Sequence, residues 1–233
     1  MYEAVAIDPD DPAALEAALE TATTLGYDGL ILRDGARNAA VEAALEAVDP
    51  AIDVVPGVEI DADLPQQAGG SIGNYRPEVT VLSVAGGTPA MNRFAVESEK
   101  VDVLARPMAD EGDLNHVVAK AAAENGVRIE VDLGPVLRES GGRRVRSLQA
   151  LRKLVELVDH YDAPYVVSAN AAARFELRSP RELAALGEQI GLSTDWIEAG
   201  LAEWGTIVAR NRRVQSESFI EPGVERGRHE PDG

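Results

Sequence analysis

The sequence predicts an α/β fold: a single distorted TIM-like (βα) barrel of about seven strands over residues 1–213, followed by a disordered tail over 214–233. Three observations predict it. The chain has 233 residues, a length suited to one α/β barrel. Short β-branched runs alternate with segments of helical period about seven times. Several of those runs are apolar throughout, as strands of a parallel sheet covered on both faces must be.

Candidate strands fall at 2–7, 29–33, 52–60, 79–85, 101–105, 127–133 and 164–168. The first helix opens with Asp11 as N-cap and Pro12 at its first position. Leu15, Leu19, Ala22 and Leu25 form one face, and Gly26 ends it. Residues 61–78, broken by Gly69, Gly70 and Gly73, form the longest stretch without a period and are expected as a surface loop. Leu148, Leu151, Val155 and Val158 mark another helix. Ser179-Pro180-Arg181-Glu182 is a capping box opening a helix through Leu183, Leu186 and Ile190 to Gly191. The last helix is expected at 195–210, with Ile197, Leu201, Trp204 and Val208 in one stripe; Trp196 and Trp204 read as packing residues. Seven strands are one short of a regular barrel, so helices after Ala169 are expected to cover the gap. An open doubly wound sheet is the competing arrangement. From Val214 onward the chain is polar, rich in Pro and Gly and without period, hence the expected disorder.

Composition excludes several classes of function. The chain has no cysteine, which removes disulfides, thiolate-bound zinc, iron–sulfur clusters and cysteine nucleophiles. It has no apolar run near membrane-spanning length and no basic leader before an apolar stretch, so a cytoplasmic location away from membranes is expected. Forty acidic residues against 22 basic ones give a net charge of −18, and only three of the bases are lysine. With 45% hydrophobic residues the acid coats a folded surface instead of signalling disorder. In molar salt the Debye length falls to about 3 Å, so a single-sign surface repels itself little and stays hydrated. Adaptation to very high salt is therefore expected.

Catalytic groups on such folds sit at the C-terminal ends of strands. Those positions hold Asp8, Asp34, Glu59, Gly86-Gly87, Arg106, Asp132 and Ser168-Ala169-Asn170. Asp8, Asp34, Glu59 and Asp132 could build an all-oxygen Mg²⁺ site, which leaves a metal-dependent phosphoesterase as the alternative function. Against it, acids are frequent everywhere in this chain. His116 and His160 fall in helices and His229 in the tail, so no histidine stands at a strand end for metal ligation or general acid–base work. A lone Gly86-Gly87 is a weak phosphate-loop signal, and no Walker A or GxGxxG sequence occurs. The sequence therefore assigns no catalytic residue and no metal ligand.

Positive charge is distributed unevenly. Residues 1–92 carry 16 acids and three bases, whereas Arg138, Arg143, Arg144, Arg146, Arg152 and Lys153 stand against the single acid Glu139. A second group comprises Arg174, Arg178, Arg181, Arg210, Arg212 and Arg213. Arginine binds phosphate through a planar fork that keeps its geometry where salt screens simple attraction. Pairing with the surplus acids accounts for these clusters equally well at this level.

Gly86-Gly87, then Asn92-Arg93-x-Ala95-x-Glu97, then Val101-Asp102-Val103-Leu104-x-x-Pro107 resembles the ribonuclease P protein component 3 family. These are archaeal counterparts of the eukaryotic thirty-kilodalton RNase P subunit. Gly57-Val58-Glu59-Ile60, Ile129-Glu130, a loop at 141–144, Leu177-Arg178-Ser179-Pro180 and Asn211-Arg212 extend the resemblance over about residues 2–213. Ser168-Ala169-Asn170-Ala171 departs from a Ser-Ser-Gly-Ala type run, and 61–78 is glycine-broken where the family has a helix. The resemblance implies a barrel related to the polymerase-and-histidinol-phosphatase hydrolases with its metal site lost. It implies a protein subunit of RNase P, partnered by RNase P protein component 2 and other subunits. Such a subunit supports the RNase P RNA, which uses Mg²⁺ to cleave the 5′ leader from precursor tRNA, and needs no cofactor on this chain. Carried onto matching positions, Arg93, Arg106, Lys120, Arg174, Arg178 and Arg212 become candidates for RNA contact or assembly, joined by Arg143 and Arg144 of the arginine-bearing loop.

Overall fold

The computed structural model describes residues 1–8, 10–36, 41, 52–110 and 112–216, and the backbone of two short strands beyond them. Seven parallel strands follow one another around a nearly closed barrel in sequence order. They are β1 (Tyr2–Val5), β2 (Gly29–Leu32), β3 (Asp53–Ile60), β4 (Val81–Ala85), β5 (Val103–Ala105), β6 (Arg128–Asp132) and β7 (Tyr165–Ser168). Each lies within one of the seven expected windows.

The helices in the described residues are α1 (Pro12–Leu25), α2 (Pro65–Tyr75), α3 (Pro89–Glu97), α4 (His116–Asn125), α5 (Gly134–Arg138), α6 (Gly141–Tyr161), α7 (Pro180–Ile190) and α8 (Thr194–Gln215). Local chemistry fixes their ends. Asp11 Oδ1 accepts the Ala13 and Ala14 N–H groups at 3.1 Å each. The reciprocal Ser179–Glu182 box is formed as expected. Among the described residues, no helix is long and apolar enough to cross a membrane.

Two expectations are corrected. Residues 61–78 are not a loop throughout, because α2 runs through their centre and buries Ala68 and Ile72, one turn apart, against the sheet. Residues 141–144 are not a loop either; they form the first turn of α6. The last helix also runs to Gln215, beyond the expected end at Arg210. Much of the expected tail lies outside the described residues, while Phe219–Glu221 and Val224–Glu225 form an antiparallel pair.

In place of an eighth strand, polar contacts and one helix close the seam between β1 and β7. Ala6 N–H donates to the Ala171 carbonyl at 2.9 Å. The buried Glu3 carboxyl Oε1 accepts the Ala169 N–H at 2.7 Å and the Asn170 N–H at 3.2 Å. Helix α8 packs against both β7 and β1. A Cβ on Gly200 would stand 2.5 Å from Val167 Cγ2, so only glycine lets α8 lie this close. Further along α8, Trp204, Ile207 and Val208 cluster with the inward residues Ala4, Ile31, Val55, Val81, Val103 and Val166. Trp204 donates its Nε1–H to the Val167 carbonyl at 2.9 Å, and Trp196 stacks on Tyr165 at 4.1 Å. Both tryptophans are packing residues, and α8 plugs the end of the barrel opposite the C-terminal strand ends.

Candidate functional site

At the C-terminal strand ends the barrel interior turns from apolar to charged. Arg33, directly after β2, is 4% exposed and lies above Trp204, its guanidinium carbon 5.9 Å from the ring centre. Its Nη1 bonds Glu59 Oε2 at 2.5 Å, and its Nη2 pairs with Glu130 Oε1. Ser168 Oγ donates to the same Glu130 oxygen at 2.6 Å. Arg106, after β5, takes the left-handed backbone conformation with φ 48°. That turn points its Nε and Nη2 at Glu59 Oε1, at 3.0 and 2.5 Å, and its own N–H at Glu130 Oε2, at 3.2 Å. Two carboxylates and two guanidinium groups thus pair with one another, from the buried Arg33 and Glu130 out to the partly exposed Arg106. Burial alone would raise the Glu59 carboxyl, but Arg33 and Arg106 overcome it and hold it below the usual carboxylate range. Arg33 is opposed by burial yet held charged by Glu130 and Glu59.

The four acids considered for Mg²⁺ do not share one open cage. Both Glu59 oxygens are taken by the arginines. Asp132 accepts the Gly134 N–H at 2.7 Å and the Asn170 Nδ2–H at 3.2 Å. Burial, then Glu130, raises its carboxyl to about 6. Burial, then Glu59 and Asp8, raises Asp34 as well. Among the described residues, no group of three or more His, Asp or Glu side chains could hold a metal ion. Asn170, standing where the resembled family has glycine, has φ 49°, a conformation Asn tolerates better than most residues. A cleft of about 320 Å³ opens beside this network, lined by Arg106, Met108, Asp132, Val136 and Leu151 among others.

The candidate arginines separate into two sets. Arg138, at the end of α5, links the two basic segments that the sequence keeps 30 residues apart. Its Nη1 donates to the Ala169 carbonyl at 2.8 Å and its Nη2 to the Asn170 carbonyl at 3.2 Å, while Nη1 lies 3.6 Å from Glu176. The exposed Arg143 and Arg144 at the start of α6 and the segment carrying Arg174 and Arg178 therefore share the β6–β7 rim of the mouth. Arg178 caps the turn, donating to the Phe175 and Leu177 carbonyls at 2.9 and 2.8 Å. Among the described residues, Arg143, Arg144 and Arg174 form no ion pair. The remaining candidates lie elsewhere and are neutralised. Arg93 pairs with Glu97 on α3, and Lys120 lies 3.7 Å from Glu124 on α4. Arg212 grips Asp53 with both nitrogens, at 2.6 and 2.9 Å, at the opposite end of the barrel.

Comparison with known proteins agrees with this architecture. A family model described as RNase P subunit p30 matches residues 1–216. The chain belongs to that family. It is 50% identical over 241 residues to ribonuclease P protein component 3 of Halorubrum lacusprofundi, covering 100% of both chains. It is also 50% identical to the Haloarcula marismortui protein of that name, covering 96% of each. The Methanococcoides burtonii relative is 35% identical, over 93% of this chain and 89% of its own. A chain in a cryo-EM structure of archaeal ribonuclease P with mature tRNA shares the fold, with a TM-score of 0.83, 22% identity and 100% of both chains covered. The haloarchaeal relatives agree with the salt adaptation read from the charge.

Within this p30-family barrel, sequence reasoning missed the Arg33–Glu130 pair and the role of Glu3. A signal was available. Glu3 and Arg33 stand in or directly after strands of otherwise uncharged residues, and Glu130 lies between the apolar Ile129 and Val131; such a charge must be paired to be buried.

Proposed function

We propose that this chain is a non-catalytic protein subunit of ribonuclease P, supporting the RNA that removes the 5′ leader from precursor tRNA. One observation carries the reading beyond family membership: the position where a hydrolase of this architecture needs open carboxylates is filled by Arg33 and Arg106, each bonded to Glu59. Glu59 so held is a poor base, and it offers no free oxygen to a metal. The chemistry then belongs to the RNA and its Mg²⁺, with no cofactor on this chain. Arg143, Arg144 and Arg174 of the β6–β7 rim, without an ion pair among the described residues, suit a phosphate backbone, and they position RNA without reading its sequence. RNase P RNA, the protein component 2 subunit and other RNase P proteins are the partners, with precursor tRNA as substrate of the whole particle in the cytoplasm.

The test separates this reading from a metal-dependent phosphoesterase. Pure, RNA-free chain is incubated with a generic phosphoester and Mg²⁺ or Mn²⁺ in molar KCl. No turnover and no tightly held metal are expected. Metal-dependent turnover that disappears in Glu59→Gln would contradict the proposal.

A further inference from the structure

Phe175 stands apart from every other large apolar side chain in the described residues. It is 76% exposed, while the next most exposed, Leu64, reaches 54%. Only 4% of the chain is aromatic, and the described tryptophans pack inside or against the fold. An exposed ring here therefore needs an explanation.

Its presentation is rigid. Phe175 lies on the 3-10 turn Arg174–Glu176, and its own carbonyl and that of the following Leu177 are tied to the Arg178 guanidinium. Leu177 is buried in the core cluster under α1, and Tyr27 donates its hydroxyl to the Arg178 carbonyl at 2.8 Å. Glu176 accepts the Ala172 N–H at 3.0 Å and faces Arg138. The backbone on both sides is thus fixed, and the ring projects from it.

The segment that carries it holds three arginines, Arg174, Arg178 and Arg181, in a chain of net charge −18. Arg174 and Arg181 are exposed and without an ion pair among the described residues. Both carboxylates of the segment 172–182 are engaged, Glu176 as above and Glu182 in the capping box. A protein pocket for phenylalanine calls for an apolar collar, whereas a ring beside Arg174, which forms no ion pair among the described residues, and beside the Arg178 guanidinium bound to its own carbonyl matches a base with its phosphate. In molar salt, Coulomb attraction beyond about 3 Å is screened, but stacking is not, so a ring becomes the more useful contact.

From this juxtaposition we infer that Phe175 is a stacking platform for one unpaired RNA base, with Arg174 receiving an adjoining phosphate. The inference rests on the reading that this chain sits on RNA, and it names where. Selectivity for base identity is not expected, because every base offers a π-face.

The test uses full-length chain carrying Phe175→Ala, Phe175→Leu or Phe175→Trp, assembled with transcribed RNase P RNA and the other protein subunits in molar KCl. Ala and Leu should each weaken binding to the RNA by about tenfold, the usual scale for one stacked base. Trp should bind as the native chain does, and its emission should be quenched on adding RNA relative to the native chain's own signal. Assembly with the protein subunits alone should not change. Native binding by all three variants, or by Leu with Ala impaired, overturns the stacking role. Loss of RNA-free assembly in Ala marks a protein contact and also overturns it. If the native chain itself never joins the RNA, the broader reading falls first and this one with it.

Discussion

Arg33 ties together the centre of the barrel mouth. It bridges Glu59 and Glu130 across the barrel centre, where removing one member of a buried ion pair costs about 3–5 kcal/mol. Arg33→Met should therefore lower thermal stability by that order, with part of the loss recovered when Glu59→Gln and Glu130→Gln are added. Melting followed by circular dichroism checks this, and native-like melting of the single variant would show that the network is not what holds the mouth. Glu3 makes a second prediction. Burial raises its carboxyl from 4.5 to about 8, so between those values the folded chain binds more protons than the unfolded one and loses stability as pH rises. Glu59 works the other way: its contribution is present above 4.5 and lost as pH falls through its lowered folded value. Replacing Glu3 with Gln keeps an acceptor for the two N–H groups and should flatten the decline toward alkaline pH, measured as melting temperature against pH. An unchanged slope would locate the proton elsewhere. These centres were hardly legible in the sequence. Periodicity tells which residues point inward, but not which inward charges meet across a barrel.

Helix α8 is the element that replaces a strand. Its first half closes the β1–β7 seam through Gly200, and its second half seals the lower end with Trp204, fully buried among six inward strand residues. Trp204→Ala should cost about 3–5 kcal/mol, as for other large buried aromatics, read from denaturant unfolding. A cost below about 1 kcal/mol would mean that the end is not sealed this way. Most of the elements were visible beforehand, because a parallel sheet covered on both faces demands apolar strands, and α1 and α7 carry clear caps at Asp11 and Ser179. Helix α2 was hidden for an equally physical reason. Glycine weakens a helix by about 1 kcal/mol relative to alanine, so Gly69, Gly70 and Gly73 imitate a loop. Pro65 at the first position and the buried pair Ala68 and Ile72 nonetheless hold the helix against the sheet. The first turn of α6 was masked in the same manner by Gly141-Gly142.

The whole molecule is a neutral-centred barrel in an acidic coat with one basic rim. A surface of net charge −18 repels itself strongly at low ionic strength and little when the Debye length is about 3 Å. Melting temperature should therefore climb steadily as KCl is raised from tenth-molar to several molar, and a flat response would refute salt adaptation through surface charge. In that medium counterion release adds little to RNA affinity. Attachment then depends on short-range guanidinium–phosphate geometry, which is why the separate arginine segments joined by Arg138 matter more than total charge. The most direct measurement is single-turnover cleavage of precursor tRNA by RNase P RNA reconstituted with its protein subunits, with and without this chain, across Mg²⁺ concentrations. Omission should slow cleavage and raise the Mg²⁺ needed for half-maximal rate; identical curves would contradict the account.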